Sequence, residues 1–359
     1  MIEENELTKK YFPFLDGLRG IAILWVILHH LPIELPSWAE QIRIRGDLGV
    51  ELFFSISSFL VFRSLHQCML KNNHDKFEFL KRRIFRIFPP YFLTLFMILG
   101  LSYIDTGLGQ KLISIKDILM SFPLFYYNYA KPFTTGTVPG SLNVFWSLCF
   151  EEQFYITLFL TSLFFPRKIK IFIIIGIIFS ISLRLFYYLD QHVLANTDLQ
   201  MQTHLRLDAI LLGCFFYYYW DKFKIFFNFT SFNIFLVLLA IFLHTFIDSR
   251  FQGILYILVS FSFTSLIFNL LNQNLNWPAT LLQNKFLTKI GVVSFEIYLL
   301  HEMFIGLIVK LGLKRYPFLF LIVAYILSIF AALAMHKIFS NPINLLLRKK
   351  YITNKKILL

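Results

Sequence analysis

Charge is what this sequence has least of. Only 15% of its 359 residues are charged, against 57% hydrophobic and 19% aromatic, whereas a soluble domain carries roughly 25% charged residues. That scarcity excludes an ordinary water-soluble enzyme. Cysteine is nearly absent: Cys68, Cys149 and Cys214 are widely separated, with no CxxC pair and no Cys/His zinc spacing. Neither a disulfide framework nor a metal site is expected, and the three thiols read as packing residues. Acidic residues are in deficit, 21 against 34 Lys and Arg, for a net charge of +13. Such a balance suits a nucleic-acid partner when it lies on one soluble face. Here the basic residues fall between apolar runs, so no nucleic acid is expected. The opening MIEENELTKKYF is too polar for a cleavable signal, so the first apolar run is expected to remain as an anchor. No lipidation motif is evident at either end.

What the sequence has in quantity is apolar runs of roughly twenty residues, each long enough to cross about 30 Å of hydrocarbon. They predict an all-α, polytopic integral membrane helical bundle with about ten transmembrane helices. The expected spans are 14–34, 48–66, 88–104, 143–165, 169–187, 204–220, 225–246, 252–271, 289–311 and 317–340. The sixth is the least regular, with His204, Arg206 and Asp208 at its start and tyrosines at its end, as in an interfacial belt. Lys and Arg number about 21 on one side of this arrangement and about 9 on the other, which predicts both termini in the cytoplasm. The segment 105–142, with its PFTTGTVPG cluster, reads as an external loop.

Ionisable groups inside hydrocarbon are costly, so each demands a reason. The first span contains FPFLDGLRGIAILWVILHH. Eleven residues at about 100° each bring His30 back to within about 20° of the face of Arg19, some 16 Å along the axis. Asp16 lies on the same side and can pair with Arg19; His29 falls about 80° away. Either an acid, a guanidinium and an imidazole line a stripe into the bundle, or Arg19 snorkels and the histidines mark an interface. A histidine can accept a proton from a hydroxyl or carry an acyl group. Between spans two and three, KFEFLKRRIFRIFPPYF sets Lys81, Arg82, Arg83 and Arg86 among Phe and Ile. These either anchor to anionic lipid or grip the phosphates of a cytosolic cofactor. Glu151 and Glu152 open the fourth run, with Ser147 one turn before Glu151. In the ninth, Ser294 and His301 share a face with Tyr298 beside it, where interhelical hydrogen bonding is the simpler role for Ser294 and Tyr298. Arg206 and Asp208 suggest an ion pair.

Taken in order, these stretches resemble the acyltransferase 3 family, membrane enzymes that O-acylate surface polysaccharides and other acceptors. FLDGLRGIAILWVILHH is similar to the family's opening, in which an arginine precedes a histidine as Arg19 precedes His30. GVELFFSISSFLVF, KRRIFRIFPPYF, VFWSLCFEEQFYI, HLRLDAILLG and VSFEIYLLH resemble its later segments. Ser58 stands where glycine is usual, and Asn341 where Glu often precedes Pro, so no carboxylate role is carried to the C-terminus. Many relatives add an extracytoplasmic esterase-like domain, which is not expected here.

The resemblance implies acyl-CoA, most simply acetyl-CoA, as cytosolic donor and no permanently bound cofactor. It implies His30 as catalytic residue with Arg19 as its partner, and Arg83 and Arg86, in the cluster with Arg82, as donor-binding. Glu151 is a further candidate for setting the histidine's orientation. Expected partners are the acyl-CoA, a carbohydrate or lipid-linked glycan such as lipopolysaccharide O-antigen, and membrane lipids. The inner membrane of a bacterium is the expected location. The expected division is an acyltransferase 3 transmembrane domain over 1–345 and a basic cytoplasmic tail over 346–359. The competing class is a secondary transporter using the same charges for proton coupling, whose paired broken helices are not evident. A structural scaffold would leave Arg19, His30 and Glu151 without a role.

Overall fold

In hydrocarbon a backbone donor or acceptor finds no water, so a chain this apolar must satisfy its peptide groups within each segment, as helices do. The structure, a computed structural model, describes residues 11–71, 76–189, 201–247, 251–272 and 277–352. Among these residues every regular element is helical, as expected. The principal helices are α1 (Pro13–His30), α2 (Ser37–Ile44), α3 (Leu48–Lys71), α4 (Lys76–Leu101), α5 (Phe145–Phe164) and α6 (Ile169–Leu189). They continue with α7 (Leu207–Tyr218), α8 (Thr230–Phe246), α9 (Gln252–Asn272), α10 (Lys285–Val292), α11 (Ser294–Lys310), α12 (Pro317–Met335) and α13 (Asn341–Tyr351). The first ten residues, read as too polar for a cleavable signal, and the end of the basic tail from 353 lie outside the described residues.

Five described helical stretches are long and apolar enough to cross a membrane, or seven if two bent pairs each count as one span. The bent pairs are Trp220–Phe227 with α8, at 86°, and α10 with α11, at 76°. Helices α1 and α5 stand where spans were expected but outside that set. They carry Asp16, Arg19, His29 and His30, and Glu151, Glu152 and Gln153, respectively, and these polar groups lower their hydropathy.

Two boundaries differ from expectation. α4 begins at Lys76, well before 88, and runs through Pro89 and Pro90; a proline removes only its own donor, which neighbouring helices can compensate in a membrane. α7 has only 12 residues, about 18 Å at 1.5 Å per residue, too short for a span of about 30 Å. It is packed against α3, α6 and α9 instead. The expected pairing at its start is also wrong. Arg206 pairs with Glu51 of α3, and Asp208 with Arg184 of α6 at 2.5 Å. Residues two apart on a helix do not face each other, so each finds a partner across the bundle.

The 105–142 segment is a cover built of short helical turns. Asp105 caps the first, Thr106–Ser114, by accepting from Leu108 N at 3.1 Å, and Tyr91 of α4 donates to Phe122 O at 2.7 Å. The three cysteines are buried, as packing residues should be, and form no disulfide among the described residues.

α1 sits against α10, α3 and α11. Its contact with α10 is backbone to backbone: a Cβ on Gly20 would meet the carbonyl of Leu287, and one on Gly291 the carbonyl of Asp16. Bulk at either position would force the helices apart and displace α1, which carries the polar stripe.

Candidate active site

Two polar centres lie toward opposite ends of α1. The first is a cavity of about 560 Å³ bordered by six arginines, Arg19, Arg63, Arg82, Arg83, Arg86 and Arg348, against two carboxylates, Asp16 and Glu296. Both acids are engaged: Asp16 Oδ2 accepts from Tyr11 OH at 2.6 Å, which pushes the Tyr11 phenol up to about 12, and Glu296 lies 2.8 Å from His336 Nδ1. Arg83 is laid over the Tyr155 ring at 5.6 Å, while Arg82 is tied to Glu78 at 2.9 Å. Six guanidinium groups around one cavity, four of them partly buried and Arg86 and Arg348 exposed, suit a multiply charged phosphate ligand. Arg348, assigned by sequence to a tail, belongs to this wall because α13 folds back onto α4.

A second, smaller cavity of about 50 Å³ adjoins the first and shares Arg19 and Phe295 with it. Its other walls include Phe53, Ser147, Leu148, Glu151 and Tyr298. Glu151 accepts from Tyr155 OH at 2.8 Å, and Ser147 Oγ lies 2.6 Å from Tyr298 OH, which is the interhelical hydrogen bond expected of Tyr298. The bend between α10 and α11 delivers Phe295 and Tyr298 to this position.

Tyr298 leads to the second centre. Its ring centroid is 5.6 Å from that of His301, and His301 is 5.0 Å from His30. His30 Nδ1 lies 2.9 Å from Val26 O and 3.4 Å from His301 Nε2. His30 Nε2 lies 3.6 Å from Glu302 Oε1. A carbonyl only accepts, so Val26 O fixes the proton on Nδ1 and leaves the Nε2 lone pair free to accept one. At 3.6 Å Glu302 is too far to occupy that lone pair but close enough to stabilise the imidazolium once it forms.

His29 is spent differently. Its Nδ1 donates to Ile44 O at 2.9 Å, and Trp25 Nε1 donates to Ile42 O at 2.8 Å. Arg43 Nη1 donates to both His29 O and Leu31 O at 3.1 Å and is itself held by Glu40. α2 therefore clasps the end of α1 and leaves only His30 facing α11.

Of the residues singled out by sequence, Arg19, Arg82, Arg83 and Arg86 are brought to one cavity, and Glu151 to the smaller cavity beside it. Arg19 stands with the arginines, eleven residues along α1 from His30, and His30 takes its polar neighbours from Val26, His301 and Glu302. Glu302 was not singled out. The signal was present, since a carboxylate inside an apolar run calls for a reason wherever it occurs.

Residues 12–337 match the acyltransferase domain family. Among curated proteins, O-acetyltransferase OatA of Staphylococcus aureus strain NCTC 8325 is 29% identical over 229 residues, covering 62% of this chain and 37% of its own. OatA of strain COL gives the same values. The chain thus spans well under half the length of these relatives. No solved structure matches it. With the arginine cavity and the histidine at opposite ends of α1, and a match over nearly all its length, this chain belongs to the acyltransferase 3 family.

Proposed function

We propose that the chain is a membrane O-acetyltransferase that moves an acetyl group from cytosolic acetyl-CoA to a sugar hydroxyl of a cell-surface polysaccharide. A lipopolysaccharide O-antigen is one acceptor of that class. The observation that carries the reading is the pair of centres on α1: six arginines border a cavity near one end, and a histidine with a free Nε2 stands at the other. Arg19, Arg83 and Arg86 bind the CoA phosphates, and the pantetheine arm runs through the smaller cavity past Tyr298. The relatives' name, O-acetyltransferase, agrees with this chemistry.

In the reaction His30 Nε2 takes the proton of the acceptor hydroxyl as its oxygen attacks the thioester carbonyl. The tetrahedral intermediate expels the CoA sulfur, which takes the proton back from the imidazolium. The products are an ester and free CoA, and the proton count is unchanged. Glu302 is a positioning residue that stabilises the charged imidazolium between the two transfers.

The test separates donor binding from membrane anchoring. Lys at both 83 and 86 keeps the charge but removes the planar fork that grips phosphate through two bonds. The expected result in membrane vesicles is a donor KM raised about tenfold for each 1.4 kcal/mol lost, with acceptor dependence little changed. An unchanged donor KM would make these arginines anchors and remove the support for a cytosolic CoA.

The same reading requires both termini in the cytoplasm and the 105–142 cover outside. Thr135 and Lys285 are exposed residues on opposite sides of that arrangement. Because the native cysteines are buried, Thr135→Cys should be labelled in intact cells by an impermeant thiol reagent and Lys285→Cys only after lysis. The reverse pattern would put the arginine cavity on the wrong side for a cytosolic donor.

A further inference from the structure

His301 is 271 residues from His30 in sequence, so no metal-ligand spacing in the chain reveals what the fold assembles. His30, His301 and Glu302 can each direct one ligand atom to a common point, all within 4.8 Å of one another. We propose that this trio binds a divalent cation of zinc's class, and that the bound cation inhibits acetyl transfer by occupying the lone pair the reaction needs. The inhibition rests on the function proposed above; the binding does not.

Three observations carry the proposal. The first is tautomer. His301 Nδ1 lies 2.8 Å from Tyr298 O, and His30 Nδ1 lies 2.9 Å from Val26 O. Both carbonyls hold the proton on Nδ1 and leave an Nε2 lone pair on each ring, that of His301 resting 3.4 Å from His30 Nδ1, the same outer-shell arrangement that prepares histidines to ligate metals. The second is geometry. Bonds of about 2.0–2.1 Å to a tetrahedral zinc place ligand atoms about 3.3 Å apart. His30 Nε2 and Glu302 Oε1 are already 3.6 Å apart and the three ligand atoms all lie within 4.8 Å of one another, so side-chain rotations of up to about 1.5 Å close the shell. The third is access. The His30 and Glu302 side chains are 22% and 15% exposed while His301 is fully buried. An ion can enter past the first two and be held against the third, with the fourth position left to water.

Two imidazoles and one carboxylate favour zinc over magnesium or calcium, which prefer all-oxygen shells. The cation would compete with the proton that His30 accepts from the acceptor. No redox step is involved, and binding adds no bond to the substrate.

Titration of the purified full chain in detergent with Co²⁺ reads the site directly through the visible absorption of four-coordinate cobalt, with displacement by Zn²⁺. The expected result is one site per chain, with zinc affinity at least about tenfold weaker in His301→Gln and in Glu302→Gln. Unchanged affinity in both variants would overturn the site. If either variant fails to fold, zinc-edge X-ray absorption of the unaltered protein decides instead: two imidazoles and an oxygen support the site, and sulfur in the shell, pointing to a cysteine, refutes it. With Zn²⁺ bound, transfer from acetyl-CoA should fall and return on chelation. Binding at the trio without loss of transfer would retain the metal site and discard the inhibition and the role of His30 together.

Discussion

His30→Ala should abolish acetyl transfer while leaving the protein in the membrane at its normal level. A positioned proton acceptor contributes about 10²–10⁴-fold, and a methyl group offers no lone pair in its place. The measurement is acceptor acetylation in membranes matched for protein. His29→Ala should be milder, because His29 Nδ1 is engaged by the carbonyl of Ile44 and reaches the reaction only through the clasp of α2 on α1. Glu302→Gln should lower turnover by about 10- to 100-fold, the value of a charge-assisted contact of about 1.5–3 kcal/mol, with donor KM unchanged. Full activity in His30→Ala would end the assignment of this histidine as base or acyl carrier.

Glu51→Ala should destabilise the bundle by about 3–5 kcal/mol, because it leaves the Arg206 guanidinium buried without its anion. Glu51 is fully buried on α3 and pairs with Arg206 at the start of α7, while Ser260 of α9 donates to its other oxygen at 2.8 Å. Arg206 also lies over the rings of Tyr256, at 4.4 Å, and Trp146, at 5.4 Å. The charge is thus enclosed, with Arg206 only 7% exposed. Glu51→Ala combined with Arg206→Met should recover much of the loss, since removing both charges of a buried pair is often near neutral. Thermal unfolding in one detergent would compare the three proteins. Equal losses in single and double variants would mean that packing, and not the ion pair, holds α7 to α3.

The helical bundle was legible because hydrocarbon length and backbone satisfaction act on composition, which sequence shows directly. The arginine cavity was legible in its α4 part for the same reason: KRRIFRIF places charge beside apolar residues within a few positions. Arg348 was not, because only the fold returns α13 to α4. Arg206 and Asp208 misled because closeness in sequence suggested a pair that helix geometry forbids two residues apart. Glu302 follows directly on His301, so the two fall about 100° apart on an ideal helix, and helix periodicity alone does not put both on one face. The 76° bend at the head of α11 gives that helix its own direction and brings both toward His30.

Because one uninterrupted helix carries both Arg19 and His30, the span between them is set by its rise, about 16 Å over eleven residues. In the proposed reaction α1 then works as a ruler. A donor held by its phosphates at one end presents its thioester at the other only if its arm matches that span. A truncated thioester lacking the nucleotide should reach His30 without being registered there. A long acyl chain would have to find room beyond His30, where the fully buried His301 closes one side.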